Sequence, residues 1–544
     1  MIVQTAQRVD CRLMRCAVLV GLVACLLASA GASRLALVPI DSRPPTAQMP
    51  VLLADIAGAD VATPPLDLLG KFTTPGNVDK VGAWLLKQCD DGVDAAVVSA
   101  DMLAYGGLIA SREPNVSAEQ AIRRLDALRA LRKAHPDLPV YVFSALMRTA
   151  PTATDRNEPW RMDLARLVEL QEKYQRTGAT PSREYRELRE RVPKQRLEQY
   201  WTARKRNLEV HKALIRLVKE GVITYLVIGA DDSRPYGPQH PETKELRKLT
   251  DDLGVAGRVY FCEGIDQTAN VLVSRALLRL HGYSPIVRVH LADEAAGRRP
   301  MAYESKSLNN AVRDQILASG AWLPDKGETG DYVLFVNTEN SSSRAVTELL
   351  DAIVAVQDGR PYAAVADINF DSLGSPDERF SRALLDSGLL PDLLSYSSWN
   401  TASNTLGTAV AHANLYLLAL KTNVPVLRRE RAHLTFLLQR VVSDYGYHSY
   451  LRPRANKALA EHPQATPREA HGYMFKVLQE WVERNAGGLL EAYFEEYVKG
   501  RVIEDGETAY EVTAIDDVRI WLPWPRAFEA WFEFELVCRP KDGS

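Results

Sequence analysis

The sequence predicts an α/β protein in which short parallel strands alternate with helices. Ten apolar runs recur along the chain, and stretches with helical periodicity separate them. Several of these runs are apolar throughout, which is typical of strands covered on both faces of a sheet. Charged and turn-forming residues follow the runs directly, as they do at the carboxyl edge of a parallel sheet. We therefore predict two doubly wound lobes of parallel sheet, with a (β/α) barrel as the alternative.

The predicted strands divide between a first lobe at residues 33–284 and a second lobe at residues 285–420. The first lobe holds the runs at residues 35–40, 60–62, 95–99, 140–144, 225–228 and 259–262. The second lobe holds the runs at residues 286–290, 332–336, 363–366 and 393–396. Helical periodicity is clearest at residues 77–89, 118–134, 306–319, 345–356 and 378–385.

Two further segments interrupt this alternation. Residues 155–220 are rich in Arg, Glu, Lys and Leu, so we predict an insertion of two or three amphipathic helices, broken near Pro181 and Pro193. The insertion is expected to be a solvated excursion from the sheet, and a gate over a site is the alternative. Residues 421–544 are predicted to form a C-terminal cap of helices and a small sheet, whose tryptophans pack in its core.

The first 32 residues have the pattern of a secretory signal peptide. Three arginines precede an apolar run at residues 16–30, and small residues follow that run. The run is shorter than the ~20 apolar residues of a comfortable membrane span. We therefore predict an exported protein, periplasmic or extracellular, with no membrane span after cleavage. A lipid anchor at Cys25 is the alternative, because the residues before it resemble a lipobox.

Composition excludes several classes of protein. The chain of 544 residues has a net charge of −3, and no basic tail or block indicates a nucleic-acid partner. Beyond the predicted signal only Cys89, Cys262 and Cys538 remain, too few for a disulfide scaffold, and no Cys or His spacing predicts a zinc site. These properties fit a globular protein with a small-molecule or glycan substrate, and they leave its oligomeric state open.

The tetrapeptide Asp-Ser-Arg-Pro occurs twice, each time just after an apolar run. The first copy contains Asp41 and Arg43, and the second contains Asp232 and Arg234. Such a turn can close on itself, with the aspartate bonded to backbone N–H groups and to the arginine. Because the turn recurs at matching strand ends, a place in a binding site is as well supported as a purely structural role. Asp231 precedes the second copy, and it would point away from Asp232 if both residues had extended backbone.

Polar residues also follow the other predicted strands. In the first lobe, Asp101, Tyr105 and Arg112 follow the third run, Arg148 follows the fourth, and Glu263 follows the sixth. In the second lobe the corresponding residues can bond hydroxyl groups, stack on a sugar or cap a helix. They are Asp367, Asn369, Trp399, Asn400, Thr401 and Asn404.

Four of these segments resemble one known family. The motifs IDSRPPT, SADMLAYGGLIASR, ADDSRPYGPQ and YSSWNTASNTLGTA together resemble an uncharacterised bacterial family, known only as a domain of unknown function. The resemblance extends from Leu35 to the segment LPWPRAFEAWFEFEL near the C-terminus. It supports the location of the site and implies no mechanism. Ser398 stands where relatives tend to have Gly, so the backbone approach at that position is expected to differ.

These residues predict an exported hydrolase that acts on a carbohydrate or a related polyhydroxylated cell-envelope substrate. Glycoside cleavage requires two carboxyl groups, and Asp232 and Asp101 are the predicted pair, with Asp231 and Glu263 as alternates. The other strand-end residues named above, from Asp41 to Asn404, are predicted to bind substrate.

Two alternatives to that hydrolase remain. One is a non-enzymatic sugar- or solute-binding protein with its ligand at the same residues. The other is metal-assisted hydrolysis through Asp231, Asp232, Asp367 and His290. No cofactor and no metal ligand set is predicted, although a divalent ion remains compatible with the acidic cluster.

Overall fold

The computed structural model describes residues 32–154, 158–357, 362–371, 374–462 and 465–541. The predicted signal peptide and the alternative anchor at Cys25 fall on residues that lie outside this description, apart from residue 32. Residues Arg34–Ser544 form one compact unit. In its described part this unit contains two parallel sheets and one antiparallel sheet.

The first sheet confirms the predicted parallel α/β architecture. Its strands are β1 (Arg34–Val38), β2 (Asp60–Ala62), β3 (Ala95–Ser99), β4 (Val140–Leu146), β5 (Tyr225–Ala230) and β6 (Val259–Glu263). They pair in the order β2-β1-β3-β4-β5-β6, and every pairing is parallel. Because β2 and β6 end the row, the sheet is open and the barrel alternative is wrong.

Helices cover both faces of this sheet, as in a doubly wound fold. Buried side chains on one face join the sheet to Val78–Asp90, Ala100–Tyr105, Ala118–Arg124, Asp126–Ala134, Lys194–Lys219 and Gln239–Asp252. Those on the other face join it to Met49–Ile56, Thr268–Leu280, Ala402–Lys421 and Val426–Arg440. A single helical turn, Pro44–Ala47, follows β1. Strands covered on both faces explain why the runs are apolar throughout.

The second sheet has four strands, again all parallel. They are β7 (Val287–Leu291), β8 (Tyr332–Asn337), β9 (Tyr362–Asp367) and β10 (Ser395–Ser397), paired in this order. The helices Leu308–Ala318 and Ala402–Lys421 pack in one apolar cluster on this sheet. The helices Ser343–Gln357, Glu378–Asp386 and Val426–Arg440 contribute to a second cluster.

The helix Ala402–Lys421 contacts both sheets. Its side chains enter the apolar clusters of the first and the second sheet, and nearly all of its residues are buried. A helix whose residues are buried on all sides lies in the interior of the protein. It therefore holds its N-terminus at a fixed place relative to both sheets. The predicted lobe boundaries near residues 284 and 420 stay predictions.

The remaining segments follow the predicted order of insertion and cap. The insertion forms the helices Glu158–Thr177, Arg183–Arg191 and Lys194–Lys219, with breaks at the predicted prolines. The last of these helices packs on the first sheet through buried apolar side chains, so the expectation of a solvated excursion is wrong for it. After Val426–Arg440 the chain continues as a π-helical segment, Val441–Leu451, and as the helices Arg452–Glu461 and Gly472–Tyr497. The antiparallel sheet contains β11 (Val502–Asp505), β12 (Thr508–Trp521) and β13 (Trp531–Pro540). Among the described helices, none is both long and apolar enough to cross a membrane.

Candidate functional site

A cavity of about 890 Å³ lies where residues that follow the strands of both parallel sheets meet the cap and the insertion. The first sheet supplies lining residues after β1, β4, β5 and β6, which are Arg43, Arg148, Asp231, Asp232, Arg234 and Asp266. The second sheet supplies residues after β8 and β9 and before the helix Ala402–Lys421, which are Glu339, Ile368, Phe370, Asp371, Asn400 and Thr401. The cap adds Arg452, Trp524, Arg526 and Phe528, and the insertion adds Arg161 and Met162. The carboxyl ends of both sheets therefore face one space, which is where α/β folds bind ligands.

The first Asp-Ser-Arg-Pro turn closes on itself and also reaches the cavity. Asp41 accepts hydrogen bonds from the backbone N–H and the guanidinium of Arg43, and from the hydroxyl of Thr46. Arg43 continues to Asp266 through an ion pair of 2.7 Å. Burial alone would raise the pKa of Asp266, but Arg43 lowers it overall, so Asp266 is ionised. Arg43 lines the cavity, whereas the buried Asp41 supports it from behind.

The second copy has a different geometry. Asp231 pairs with Arg112 at 2.5 Å, and Asp232 pairs with Arg148. Both aspartates line the cavity, because Asp232 has a left-handed backbone with φ of +33° and does not continue the extended strand. The extended geometry that would have turned the two carboxylates apart is therefore absent here. Arg234 lines the cavity as well and pairs with Glu169 of the insertion at 3.1 Å.

A small recess of about 10 Å³ adjoins the cavity beside these aspartates. Three residues shared by the recess and the cavity have left-handed backbone without being glycine: Asp232, Tyr303 (φ +63°) and Asn400 (φ +60°). Each such residue costs about 1–3 kcal/mol, and this kind of strain clusters at active sites. Its concentration around one recess identifies this recess as the candidate centre of the site.

Glu304 is the carboxyl group at the base of the recess. Its side chain is buried, and Oε1 accepts a hydrogen bond of 2.6 Å from the backbone N–H of Ser403. Oε2 is buried without a hydrogen-bond partner. Burial raises the pKa of Glu304 to about 8, and the nearby Glu263 adds to the effect. Glu304 therefore keeps its proton at neutral pH, unlike Asp266 in the same recess.

The segment before the helix Ala402–Lys421 shapes the other side of the recess. Thr401 is the N-cap residue of this helix, and its hydroxyl bonds the side chain of Asn404 at 2.7 Å. Asn400 donates to the same Asn404 oxygen at 2.8 Å, and all three residues line the recess. Trp399 lies in the core instead, where its indole N–H donates to Thr408. Asn400, Thr401 and Asn404 thus lie at the site, whereas Trp399, the predicted stacking residue, does not.

Comparison with known proteins assigns the family. A family model described as a protein of unknown function, DUF4127, matches residues 35–533. The chain belongs to the DUF4127 family. No curated protein and no solved structure matches it. The resemblance predicted from the sequence motifs is thus confirmed, and the DUF4127 match spans every residue that lines the cavity.

Three of the strand-end residues predicted to act in the site lie outside the lining of the cavity in this DUF4127 protein. Asp101 is buried and accepts from the backbone N–H of Ala145 at 2.8 Å, and burial raises its pKa to about 7. Tyr105 is buried beneath the guanidinium of Arg206, which lies 4.4 Å from its ring. Glu263 is buried, and two serine hydroxyls donate to its carboxylate.

Two predicted residues of the second sheet likewise lie behind the cavity wall. Asp367 is buried and accepts from Asn337 and from two backbone N–H groups, and burial raises its pKa to about 8. Asn369 donates to Asp377 at 2.7 Å. Because Asp367 and the exposed His290 do not line the cavity, the ligand set of the metal-assisted alternative is not brought together. Within the described residues, no three His, Cys, Asp or Glu side chains cluster as a metal site would require.

Sequence reasoning missed several residues of the site. Asp266 lies three residues after Glu263 in the same strand-end segment, but it is not among the predicted site residues. Glu304 and Tyr303 lie in the long connection after β7, where no periodicity or motif indicates a site. Trp524 and Arg526 belong to the segment LPWPRAF, whose tryptophan is predicted only to pack in the core of the cap.

Proposed function

We propose that this DUF4127 protein is a hydrolase that cleaves a carbohydrate or a related polyhydroxylated cell-envelope substrate with two carboxyl groups. The observation that carries the proposal is the recess, which combines the protonated Glu304 with three strained residues, one of which is Asp232. Glycoside cleavage needs one carboxyl group that gives a proton and one that is ionised. The adjoining cavity of about 890 Å³ is in the range of known ligand sites.

Glu304 is the general acid in this proposal. It holds a proton at neutral pH, and its buried Oε2 has no hydrogen-bond partner within the protein, so a ligand oxygen that enters the recess accepts that proton. As the bond between the anomeric carbon and the leaving oxygen breaks, Glu304 protonates that oxygen. The N–H of Ser403 then stabilises the carboxylate that remains, because it already bonds Oε1.

Asp232 is the second carboxyl group. Burial raises its pKa, and the ion pair with Arg148 opposes this shift by favouring the ionised form. The pKa of Asp232 is raised overall, so its role requires the form that Arg148 favours, the carboxylate. That carboxylate either takes a proton from the water that adds to the anomeric carbon, or attacks that carbon before water replaces it. In both routes the net reaction adds one water across the glycosidic bond.

Neighbouring side chains support a polyhydroxylated ligand. Asn400 and Thr401 bring amide and hydroxyl groups to the cavity, and Tyr303 is 56 % exposed there, which offers an aromatic face to a sugar ring. The leader pattern of residues 1–32 supports export, so the proposal places the reaction in the periplasm or outside the cell.

The test compares wild type with Asp232→Asn and Glu304→Gln on envelope glycans and aryl glycosides. An acid catalyst is needed less when the leaving group is already acidic. We therefore expect Glu304→Gln to lose turnover of glycans by about 10²-fold or more and to keep much of it on dinitrophenyl glycosides. Asp232→Asn should lose turnover on both. The wild-type rate should fall above about pH 8, where Glu304 ionises.

Thermal shift measurements on the same samples show whether the variants are folded and bind ligand. Equal losses for Glu304→Gln on glycosides with poor and with good leaving groups would remove Glu304 from the acid role. Stabilisation by glycans without any turnover in wild type would refute the hydrolase and leave the sugar-binding protein.

A further inference from the structure

One wall of the cavity consists of guanidinium groups interleaved with aromatic rings. The guanidinium carbons of Arg43 and Arg526 lie 4.8 and 4.7 Å from the centre of the Trp524 ring. Arg526 also lies 4.8 Å from the ring of Phe528, which is 5.4 Å from Arg452. All five residues line the cavity. We call this row, in the order Arg43, Trp524, Arg526, Phe528 and Arg452, the arginine ladder.

Each of these guanidiniums lies over an aromatic ring, where cation–π attraction is favourable. This contact uses none of the N–H donors of the guanidinium, which all lie in its plane. Those donors can therefore still bind a carboxylate or a phosphate, which accepts two parallel hydrogen bonds from one arginine.

The members of the ladder differ in how their donors are used. Arg43 directs Nε and both amino groups to Asp41 and Asp266, so most of its donors are used within the protein. Arg526 gives one amino group to Glu529 at 2.9 Å, while its Nε–H is buried without a hydrogen-bond partner. A buried donor that lacks an acceptor costs about 1–3 kcal/mol. Arg526 is therefore the ladder residue with an unused, preoriented donor.

The rest of the cavity lining is also rich in arginine and positively charged. The described lining residues include eight arginines and five acidic residues, which is an excess of positive charge. Arg112 and Arg148 each pair with an aspartate, and each keeps an Nε–H that is buried without a partner. Three guanidiniums of one cavity thus have donors that only a further acceptor can satisfy.

We propose that the arginine ladder is an anion subsite, so that the substrate is an acidic oligosaccharide carrying a carboxylate or a phosphate. This inference rests on the proposed function, because it concerns the ligand of the same cavity. The ladder starts at Arg43, whose partner Asp266 lines the recess, and Arg526 follows behind the Trp524 ring. The charged group therefore binds on a unit beside the bond that is cleaved, with Arg526 as its main ligand.

The test measures binding by calorimetry to the Glu304→Gln protein, so that no substrate is consumed. The probes are a uronic-acid oligosaccharide, the same oligosaccharide with its carboxylates reduced to alcohols, and a phosphorylated oligosaccharide. We expect at least one charged probe to bind roughly tenfold or more tightly than the reduced one, and the preference to weaken in high salt. The two charged probes distinguish a carboxylate from a phosphate ligand.

A second substitution then assigns the preference to the ladder. Adding Arg526→Gln should abolish most of the preference, and adding Arg526→Lys should restore part of it, because a point charge lacks the bidentate edge. Arg519→Gln is the matched control, since Arg519 bonds Glu533 in the antiparallel sheet and does not line the cavity. Circular dichroism confirms that each variant is folded, and Arg452→Gln replaces Arg526→Gln if the latter does not fold.

Two results would overturn the anion subsite. One is the absence of any preference for a charged probe, including the absence of binding. The other is a preference that survives in folded Arg526→Gln protein, or in its Arg452→Gln substitute. The proposed function is tested by a different measurement, the turnover of neutral and charged substrates by the wild type. Hydrolysis of neutral glycans without anion preference would retain the enzyme and remove the subsite.

Discussion

Replacing Glu304 by Gln should make the protein more stable at alkaline pH than the wild type. Glutamine keeps the oxygen that accepts from Ser403, and its amide group occupies the place of the protonated Oε2. It is therefore an isostere of the protonated acid that cannot ionise. The wild-type carboxyl must either keep a proton that the unfolded chain has lost or ionise in a buried site, and both are unfavourable at high pH.

The size of the effect follows from the pKa of Glu304, about 8 in the folded protein against a reference value of 4.5. Below pH 4.5 both states are protonated, and this group does not distinguish them. Between pH 4.5 and 8 only the unfolded state ionises, so wild-type stability falls by about 1.4 kcal/mol per pH unit and levels off above pH 8. The wild type should therefore lose about 4 kcal/mol between pH 5 and pH 8.5 through Glu304 alone.

Thermal denaturation of wild type and Glu304→Gln at pH 5 and pH 8.5 measures this loss. At each pH we compare the melting temperature of the variant with that of wild type. The other titrating groups are the same in both proteins, so a change of this difference with pH reports on Glu304. For a cooperative unit of about 510 residues, 4 kcal/mol corresponds to about 4 °C. Asp266→Asn is the control, since Arg43 keeps the pKa of Asp266 low and its carboxylate is ionised at both pH values.

Two results would refute the reasoning about Glu304. If the difference in melting temperature is the same at both pH values, Glu304 does not carry a raised pKa, and its role as acid fails with it. If Asp266→Asn shows the same pH-dependent gain as Glu304→Gln, the effect belongs to the charge of the whole recess and not to one carboxyl group.

Three further predictions concern the structure around the site and the interior. Gly107→Ala should lower stability by about 1–3 kcal/mol in denaturation experiments, because φ is +128° and a Cβ would lie 3.0 Å from the carbonyl oxygen of Ile40; Gly92→Ala, with φ of +89° and open space, should cost less. Asn400→Gly should melt above Asn400→Ala, since only glycine keeps φ of +60° without strain. Burial lowers the pKa of His433 to about 4, so the wild type should lose about 2 to 3 kcal/mol between pH 7 and pH 4.5, and His433→Gln should lose less over that range.

The strands could be predicted from the sequence because the residues of each strand are enough to identify it. The runs at residues 60–62 and 95–99 match β2 and β3 in both bounds, and the others differ by one or two residues at their ends. A strand buried on both faces needs no partner information to be recognised, since every residue in it is apolar. The parallel pairing then follows from the helices that separate the strands.

About half of the residues that the carboxyl-edge rule predicted line the cavity, and the others lie behind it. Arg43, Asp231 and Asp232 line the cavity, whereas Asp101, which follows β3, and Asp367, the last residue of β9, are buried beneath it. The sequence contains no signal that separates these cases, because the direction of a side chain after a strand depends on the local backbone conformation and on the packing around it. The left-handed backbone of Asp232 illustrates this dependence.

Glu304 could not have been predicted, because its chemistry comes from packing between distant segments. Burial, which produces its raised pKa, is completed by the start of the helix Ala402–Lys421, where the N–H of Ser403 reaches its carboxyl group across 99 residues of chain. A glutamate in a long polar connection is normally exposed to solvent. Only the assembled fold shows that this one is enclosed.

The strained backbone of the recess depends on packing between the two sheets. Left-handed backbone at Asp232, Tyr303 and Asn400 together costs about 3–9 kcal/mol, which is comparable to the whole net stability of many proteins. These three residues follow β5, follow β7 and precede the helix Ala402–Lys421, so neither sheet alone could hold them in register. The helix that packs on both sheets supplies this constraint. Substitutions that relieve the strain should therefore stabilise the protein while they loosen the recess, and a gain in stability there should accompany a loss of function.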